Sequence, residues 1–136
     1  YLGVEATSHN RSINRKKYDL AEITAELEQR GSLRKATYDA LTKLISTRKA
    51  ESLFHPEIPM EVLESTAELF VVKRSSDAES IILIHNLSEK EVSYSLDSGV
   101  YTNLYKGSTV TGSDSIKLSG YEFCWLKTKN YREEQK

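Results

Sequence analysis

Hydrophobic positions recur along the chain with two different periods, and the change falls near residue 50. Before it, Leu20, Ile23 and Leu27 form a short stripe. Leu33, Ala36, Ala40, Leu41, Leu44 and Ile45 then recur at three- and four-residue steps. That spacing lays one apolar face along a helix. Asp19 stands where a cap accepts the first free N–H groups, with Glu22 three places on to complete a capping box. Arg30-Gly31 reads as the stop of this helix, and Ser32 as the start of a second that runs to Lys49. Residues 50–59, AESLFHPEIP, contain both prolines and form a connector.

From Met60 onward the period drops toward two. The segments MEVLES, LFVVKRS, SIILIHNL, EVSYSL, VYTNLYK and YEFCWLK are short and rich in β-branched and aromatic residues. Asp97-Ser98-Gly99, Lys106-Gly107-Ser108 and Gly112-Ser113-Asp114 supply turns. The pattern predicts an α+β chain: residues 1–49 as a loop with terminal helices, 60–128 as an antiparallel β domain, and 129–136 as a charged, flexible tail. About six strands are expected, arranged as a small sandwich or Greek-key unit.

Helices followed by strands pose two packing problems. The run Ile81-Ile82-Leu83-Ile84 requires cover on both faces of the sheet, and helix 32–49 supplies some of it. Leu20, Ile23 and Leu27 need a further partner, so part of the packing surface is expected to lie outside these elements.

Composition narrows the class. At 136 residues the chain is the size of one ordinary domain. Nineteen basic residues against twenty acidic ones leave a net charge of -1, which argues against a nucleic-acid or anionic-membrane binder. The longest apolar run is four residues, so no helical span and no signal peptide is expected. A single cysteine, Cys124, forms no internal disulfide, which fits a reducing cytoplasm. The chain opens on Tyr rather than Met, compatible with a piece of something longer.

Candidate chemistry is sparse. His9, His55 and His85 show no metal-ligand spacing, and Cys124 has no CxxC partner, so neither a metal nor a cofactor is expected. His55, before Pro56, suits a local turn contact, and His85 closes a strand. No GxSxG elbow and no glycine-rich phosphate loop occurs. Glu61/Glu64 and Glu89/Glu91 read as solvated strand ends. Tyr121 and Trp125 are candidates for stacking on a sugar, although the alternation in YEFCWLK places Phe123 and Trp125 more simply in the core. The stretch from Thr7 on, TSHNRSINRKKYDL, carries Arg11, Arg15, Lys16 and Lys17 without interleaved aromatics. It reads as a solvated loop, except that Ile13 and Asn14 sit between the two arginines.

Taken together, R-x-INR, the passage LTKLISTRKAESLFHPEIPMEVLE, and the strand end NLS resemble the C-terminal part of the sucrose phosphorylase group of the α-amylase superfamily, from about Thr7 to Lys127. The FHP connector is closer to the branch of glucosylglycerate and sucrose-phosphate phosphorylases. Ser8 departs from the family pattern, where a glycine is common. The resemblance implies a (β/α)₈ barrel upstream. Residues 1–31 would be the loop after the last barrel strand, 32–49 the last barrel helix, and 60–128 the small β domain.

It further implies retaining glucosyl transfer to phosphate, with inorganic phosphate as co-substrate and no other cofactor. The catalytic carboxylates would lie upstream, none of them in this chain. Arg15 would hydrogen-bond glucose in the donor subsite, with Asn14 and Arg11 shaping the same loop. The expected partners are the sugar and phosphate, together with the missing barrel or, through exposed helix faces, a second copy. The alternatives are a free β module that binds carbohydrate or protein, and a purely structural domain.

Overall fold

The computed structural model describes residues 17–112 and 115–129. These form two compact units that divide between Thr42 and Lys43, inside a continuous helix. In the first unit, helix α1 spans Leu20–Glu28 and helix α2 begins at Leu33, running on to Ala50. The Asp19 carboxylate accepts from the N–H groups of Ala21 at 2.9 Å and Glu22 at 3.1 Å, so the cap expected from sequence is in place. Gly31, at φ 81°, takes the left-handed conformation that turns the chain between the helices.

The second unit is antiparallel throughout. Its strands are β1 (Met60–Val62), β2 (Leu69–Ser75), β3 (Glu79–Asn86), β4 (Val92–Ser95), β5 (Gly99–Asn103), β6 (Thr109–Gly112), β7 (Ser115–Leu118) and β8 (Phe123–Lys129). Six of them make one sheet in the order β1-β2-β3-β8-β5-β6, while β4 and β7 pair separately. The chain therefore crosses between sheets after β3, β4, β6 and β7, as a Greek-key sandwich does. The sequence pattern predicts six or so strands, and eight are present among the described residues. Strands β6 and β7 were missed because STVTGSDSIKL is mostly polar and only Val110, Ile116 and Leu118 mark its inward side.

Strand β3 is buried on both faces. Ile82 and Ile84 join Val71, Leu118, Cys124 and Leu126 in the core between the two sheets. Ile81 and Leu83 point the other way, into a second cluster with Leu53, Phe54 and Val72. The cover for that second face comes chiefly from a short 3₁₀ turn, Ser52–Phe54, and from Ile58 and Leu104, rather than from a broad helix face as the pattern suggested. The two sides of β8 meet different cores, Trp125 packing on the second cluster. Cys124 and Leu126 are buried between the sheets, whereas Phe123 and Trp125 are half-buried on the opposite face.

Two polar residues hold these layers in register. Arg74, buried on β2, donates from Nη1 to the carbonyl of Phe54 at 3.3 Å. Its Nη2 donates to the carbonyls of His55 and Ile58, both at 2.7 Å. Asn86, 2% exposed at the end of β3, donates to the carbonyls of Lys90 (2.6 Å), Leu118 (3.3 Å) and Ser119 (2.9 Å). Its Oδ1 accepts from the backbone N–H and the hydroxyl of Ser88 at 3.0 and 2.8 Å. Asn86 thus bridges the exit of β3 to the exit of β7. An alanine there leaves several buried backbone groups without partners. Asn86→Ala should lower the unfolding free energy by about 3 kcal/mol. A urea midpoint measured at unchanged m-value tests this, and a loss below about 1 kcal/mol would contradict the bridging role.

Candidate functional site

The residues that the sequence singled out for sugar contact, Arg11, Asn14 and Arg15, lie outside the described residues, as does Ser8. The description begins at Lys17, which is exposed and directly precedes the capped start of α1. The Arg34 guanidinium lies 5.5 Å from the centre of the Tyr18 ring and pairs with Glu26. The chain leaving the INR box is therefore tied to α1 by the Asp19 cap, and Tyr18 meets a cation of α2.

The apolar stripes of the two helices are open. Leu20 is 80% exposed, Leu33 82%, and Tyr38, Leu41 and Ile45 are each more than half exposed. Ile23, Leu27, Leu33, Tyr38 and Leu41 line a shallow groove of about 490 Å³ whose walls are almost entirely carbon. Neither helix buries a residue. An amphipathic helix derives most of its stability from burial of that stripe, so this is surface built to be covered.

The β unit offers little reactive chemistry. A cleft of about 280 Å³ opens between the sheets, with Val110, Ile116, Leu118, Cys124 and Leu126 beneath and Lys106 and Glu122 at its mouth. Burial pushes the Cys124 thiol up to about 12, so it stays protonated and unreactive at neutral pH. The Lys106 ammonium lies 2.6 Å from Glu122 Oε1, and the Ser119 N–H donates to Oε2 at 2.9 Å. The hydrogen bond from Lys106, then that from Ser119, holds the Glu122 carboxyl below its usual range. It is a bound carboxylate rather than a base. Glu61, Glu64, Glu89 and Glu91 are exposed, and Glu91 pairs with Lys117 at 3.2 Å. No group of three His, Cys, Asp or Glu side chains suited to a metal occurs among the described residues. No helix among them is long and apolar enough to cross a membrane.

His55 and His85 make contacts inside the fold. His55 Nδ1 accepts from the Glu57 N–H at 3.4 Å in the connector turn. His85 stacks between Phe70 and Phe123 and accepts from the Trp125 indole. Tyr121 is 71% exposed, at φ 59°, in the turn before β8. Trp125, half-buried, packs on Phe54, 5.0 Å between ring centres.

The structure also gives roles to the motif pieces FHP and NLS. Phe54 of FHP fills the second cluster, and the carbonyls of Phe54 and His55 receive the Arg74 guanidinium. Asn86 and Ser88 of NLS form the bridge described above. Arg74 was not distinguished in the sequence from its basic neighbour Lys73; its position on the same face as Val72 was the available signal.

No family model matches the chain. Among characterised proteins it is 31% identical to the glucosylglycerate phosphorylase of Escherichia coli K12 over 132 residues, which covers 93% of this chain and 23% of that protein. It is 32% identical to the glucosylglycerate phosphorylase of Spirochaeta thermophila, covering 91% of this chain and 24% of that protein. The chain thus spans about a quarter of the length of the relatives it matches. Among solved structures, an Anoxybacillus α-amylase aligns with TM-score 0.59 at 18% identity, covering 76% of this chain and 24% of that one. Trehalulose synthase MutB from Pseudomonas mesoacidophila aligns with TM-score 0.57 at 19% identity, covering 76% and 19%. The resemblance to the sucrose phosphorylase group therefore holds over nearly the whole chain, on the glucosylglycerate phosphorylase side, and the fold is one found within α-amylase-type enzymes.

The open helix faces make a direct prediction. The 136-residue chain should bind a hydrophobic dye such as ANS. The double variant Leu33→Ser/Leu41→Ser should lose most of that fluorescence while its far-UV CD stays unchanged. Full dye signal in the variant would place the accessible apolar surface elsewhere.

Proposed function

We propose that this chain is the C-terminal segment of a retaining glucosyl phosphorylase, an enzyme that converts an α-glucoside to glucose 1-phosphate and a free acceptor. The observation that carries the proposal is the similarity that runs along more than nine-tenths of the chain yet spans only 23% of the Escherichia coli relative. The open apolar faces of α1 and α2 support it, since a preceding catalytic domain would cover them. So do the buried, protonated Cys124 thiol and the Glu122 carboxylate held by Lys106. The names of the relatives favour glucosylglycerate as the substrate over sucrose, and their organisms make a bacterial, cytoplasmic enzyme the natural setting.

In this reading the chain alone is inactive. A carboxylate on the upstream barrel attacks the anomeric carbon while a second protonates the departing acceptor, giving a glucosyl-enzyme. Inorganic phosphate then takes the glucosyl group as the second residue removes its proton. Loops after barrel strands line the active-site face. The R-x-INR loop is such a loop, and Arg15 donates its planar fork of N–H groups to the glucose hydroxyls. Asn14 and Arg11 shape the loop around it. The helix faces pack on the barrel; in its absence a second copy of the chain is the substitute partner.

The alternative is a free-standing β module that binds carbohydrate or protein through its sheet. It predicts saturable sugar or protein binding by the 136-residue chain itself.

The test is kinetic. The full-length protein should phosphorolyse glucosylglycerate, and the 136-residue chain should not. In the full-length protein, Arg15→Ala should cost about 1.5–3 kcal/mol of transition-state stabilisation, roughly 10- to 100-fold in kcat/KM. Unchanged turnover in that variant would remove Arg15 from the donor subsite.

A further inference from the structure

His85 lies at the centre of an aromatic layer on the sheet face opposite the main core. Its strand neighbours in register are Phe70 on β2 and Phe123 on β8. The imidazole stacks between both rings, 6.4 Å from Phe70 and 6.0 Å from Phe123, at interplanar angles of 25° and 27°. The Trp125 indole N–H donates to His85 Nε2 at 3.4 Å. Trp125 is also held edgewise, 5.0 Å from Phe54 and 5.9 Å from Phe123.

The chemistry of that contact depends on the imidazole's charge. Indole can only donate, so Nε2 must be without a proton to accept from it. An imidazolium donates from both nitrogens, and two N–H groups then face each other. We propose that His85 and Trp125 form a protonation-operated contact between β3 and β8, made by neutral imidazole and broken by imidazolium. Protonation therefore removes the indole's acceptor.

The charged groups on this face are otherwise engaged. Lys43 and Arg48 of α2 lie over the rings of Tyr105 and Phe54, at 4.4 and 5.2 Å. Arg74 on β2 is turned to the connector carbonyls. Lys127 on β8 is held by Glu51 at 3.0 Å and Glu79 at 2.8 Å. Tyr105 packs on Phe123, and Glu68 at the entry to β2 bonds with Thr66. Lys106 and Glu122 line the cleft on the other side of the sheet with Cys124 and Leu126.

Burial pushes the His85 imidazole below its ordinary value, while a hydrogen bond with the Phe70 backbone works the other way. A folded-state value below the unfolded one means that the fold favours the neutral ring. The stability this contributes is complete above the unfolded value, about 6.5, and is lost as pH falls through the folded value.

The chain has a single tryptophan, so one indole N–H resonance in a ¹⁵N–¹H correlation spectrum reports the contact. As pH is lowered from 8 toward 4.5, that resonance should move upfield in a single step. The midpoint should lie below 6.5 and coincide with the titration of the His85 ring protons. His85→Gln should abolish the step, and His55→Gln should leave it unchanged. Dispersed backbone signals throughout the range would show that the fold persists. An indole resonance that stays still while His85 titrates in the unmodified chain would overturn the proposal. So would a step that survives in His85→Gln.

Discussion

Strand β3 sets the terms for the rest of the β unit. Four consecutive aliphatic residues, Ile81 to Ile84, send two side chains to each face, so both faces must be shielded from water. One face is met by the β4–β7 pair, whose Val92, Tyr94, Ile116 and Leu118 close the sandwich. The other is met by a connector too short to be a helix or a strand of its own. Leu53 and Phe54 reach it because the 3₁₀ turn points both toward the sheet, and Arg74 fixes the turn by binding three of the connector's carbonyls. A guanidinium buried this way relies on carbonyl dipoles in place of a carboxylate partner. That suits a site where the chain must be held by its backbone rather than by its side chains.

The connector's ends are held by charge. Glu51 accepts from the Leu53 N–H and, with Glu79, grips Lys127 on β8. Burial works against the Lys127 charge, but its hydrogen bonds with Glu79 and Glu51 outweigh this and hold the ammonium above its usual value. The result ties the end of α2, the start of β3 and the end of β8 to one another. Above this ion pair the same face becomes aromatic, with Trp125, Phe123, His85 and Phe70 crossing three strands. One side of the sheet thus meets a mainly aliphatic core between the two sheets, while the other carries a mixed layer of half-buried rings and cations.

Much of this was legible in the sequence, and the failures have physical causes. Asp19 and Ser32 marked both helix starts because caps rely on local chemistry that a few residues specify. Strands β2, β3 and β8 were legible from their β-branched and aromatic content. Strands β6 and β7 were not, since each is four residues long with few inward apolar side chains, and each takes its partner from elsewhere in the chain, β6 from β5 and β7 from β4. For β8 the alternation was legible, but not which side meets the second sheet. Phe123 and Trp125 outweigh Cys124 and Leu126 in hydrophobic bulk, but the sheet has two covered faces, and bulk does not tell them apart. The candidate sugar-binding residues came only through family resemblance; nothing in the spacing of Arg11, Asn14 and Arg15 fixes their chemistry.

The same distinction bears on what the motifs mean. Of the pieces that carry the resemblance, FHP and NLS are scaffold: Phe54 seals a core, His55 lends a carbonyl, and Asn86 with Ser88 bridges two strand ends. Their roles here are served within the β unit itself. They support kinship in fold and say little about the acceptor. The compact division after Thr42 leads to the same place. The β unit includes the last turns of α2, from Lys43 on, and the connector that caps its second face. The helix therefore continues without a break from an uncovered apolar groove into the element that completes the β core. A helix built this way belongs to two packing problems at once, and the described residues solve only one of them.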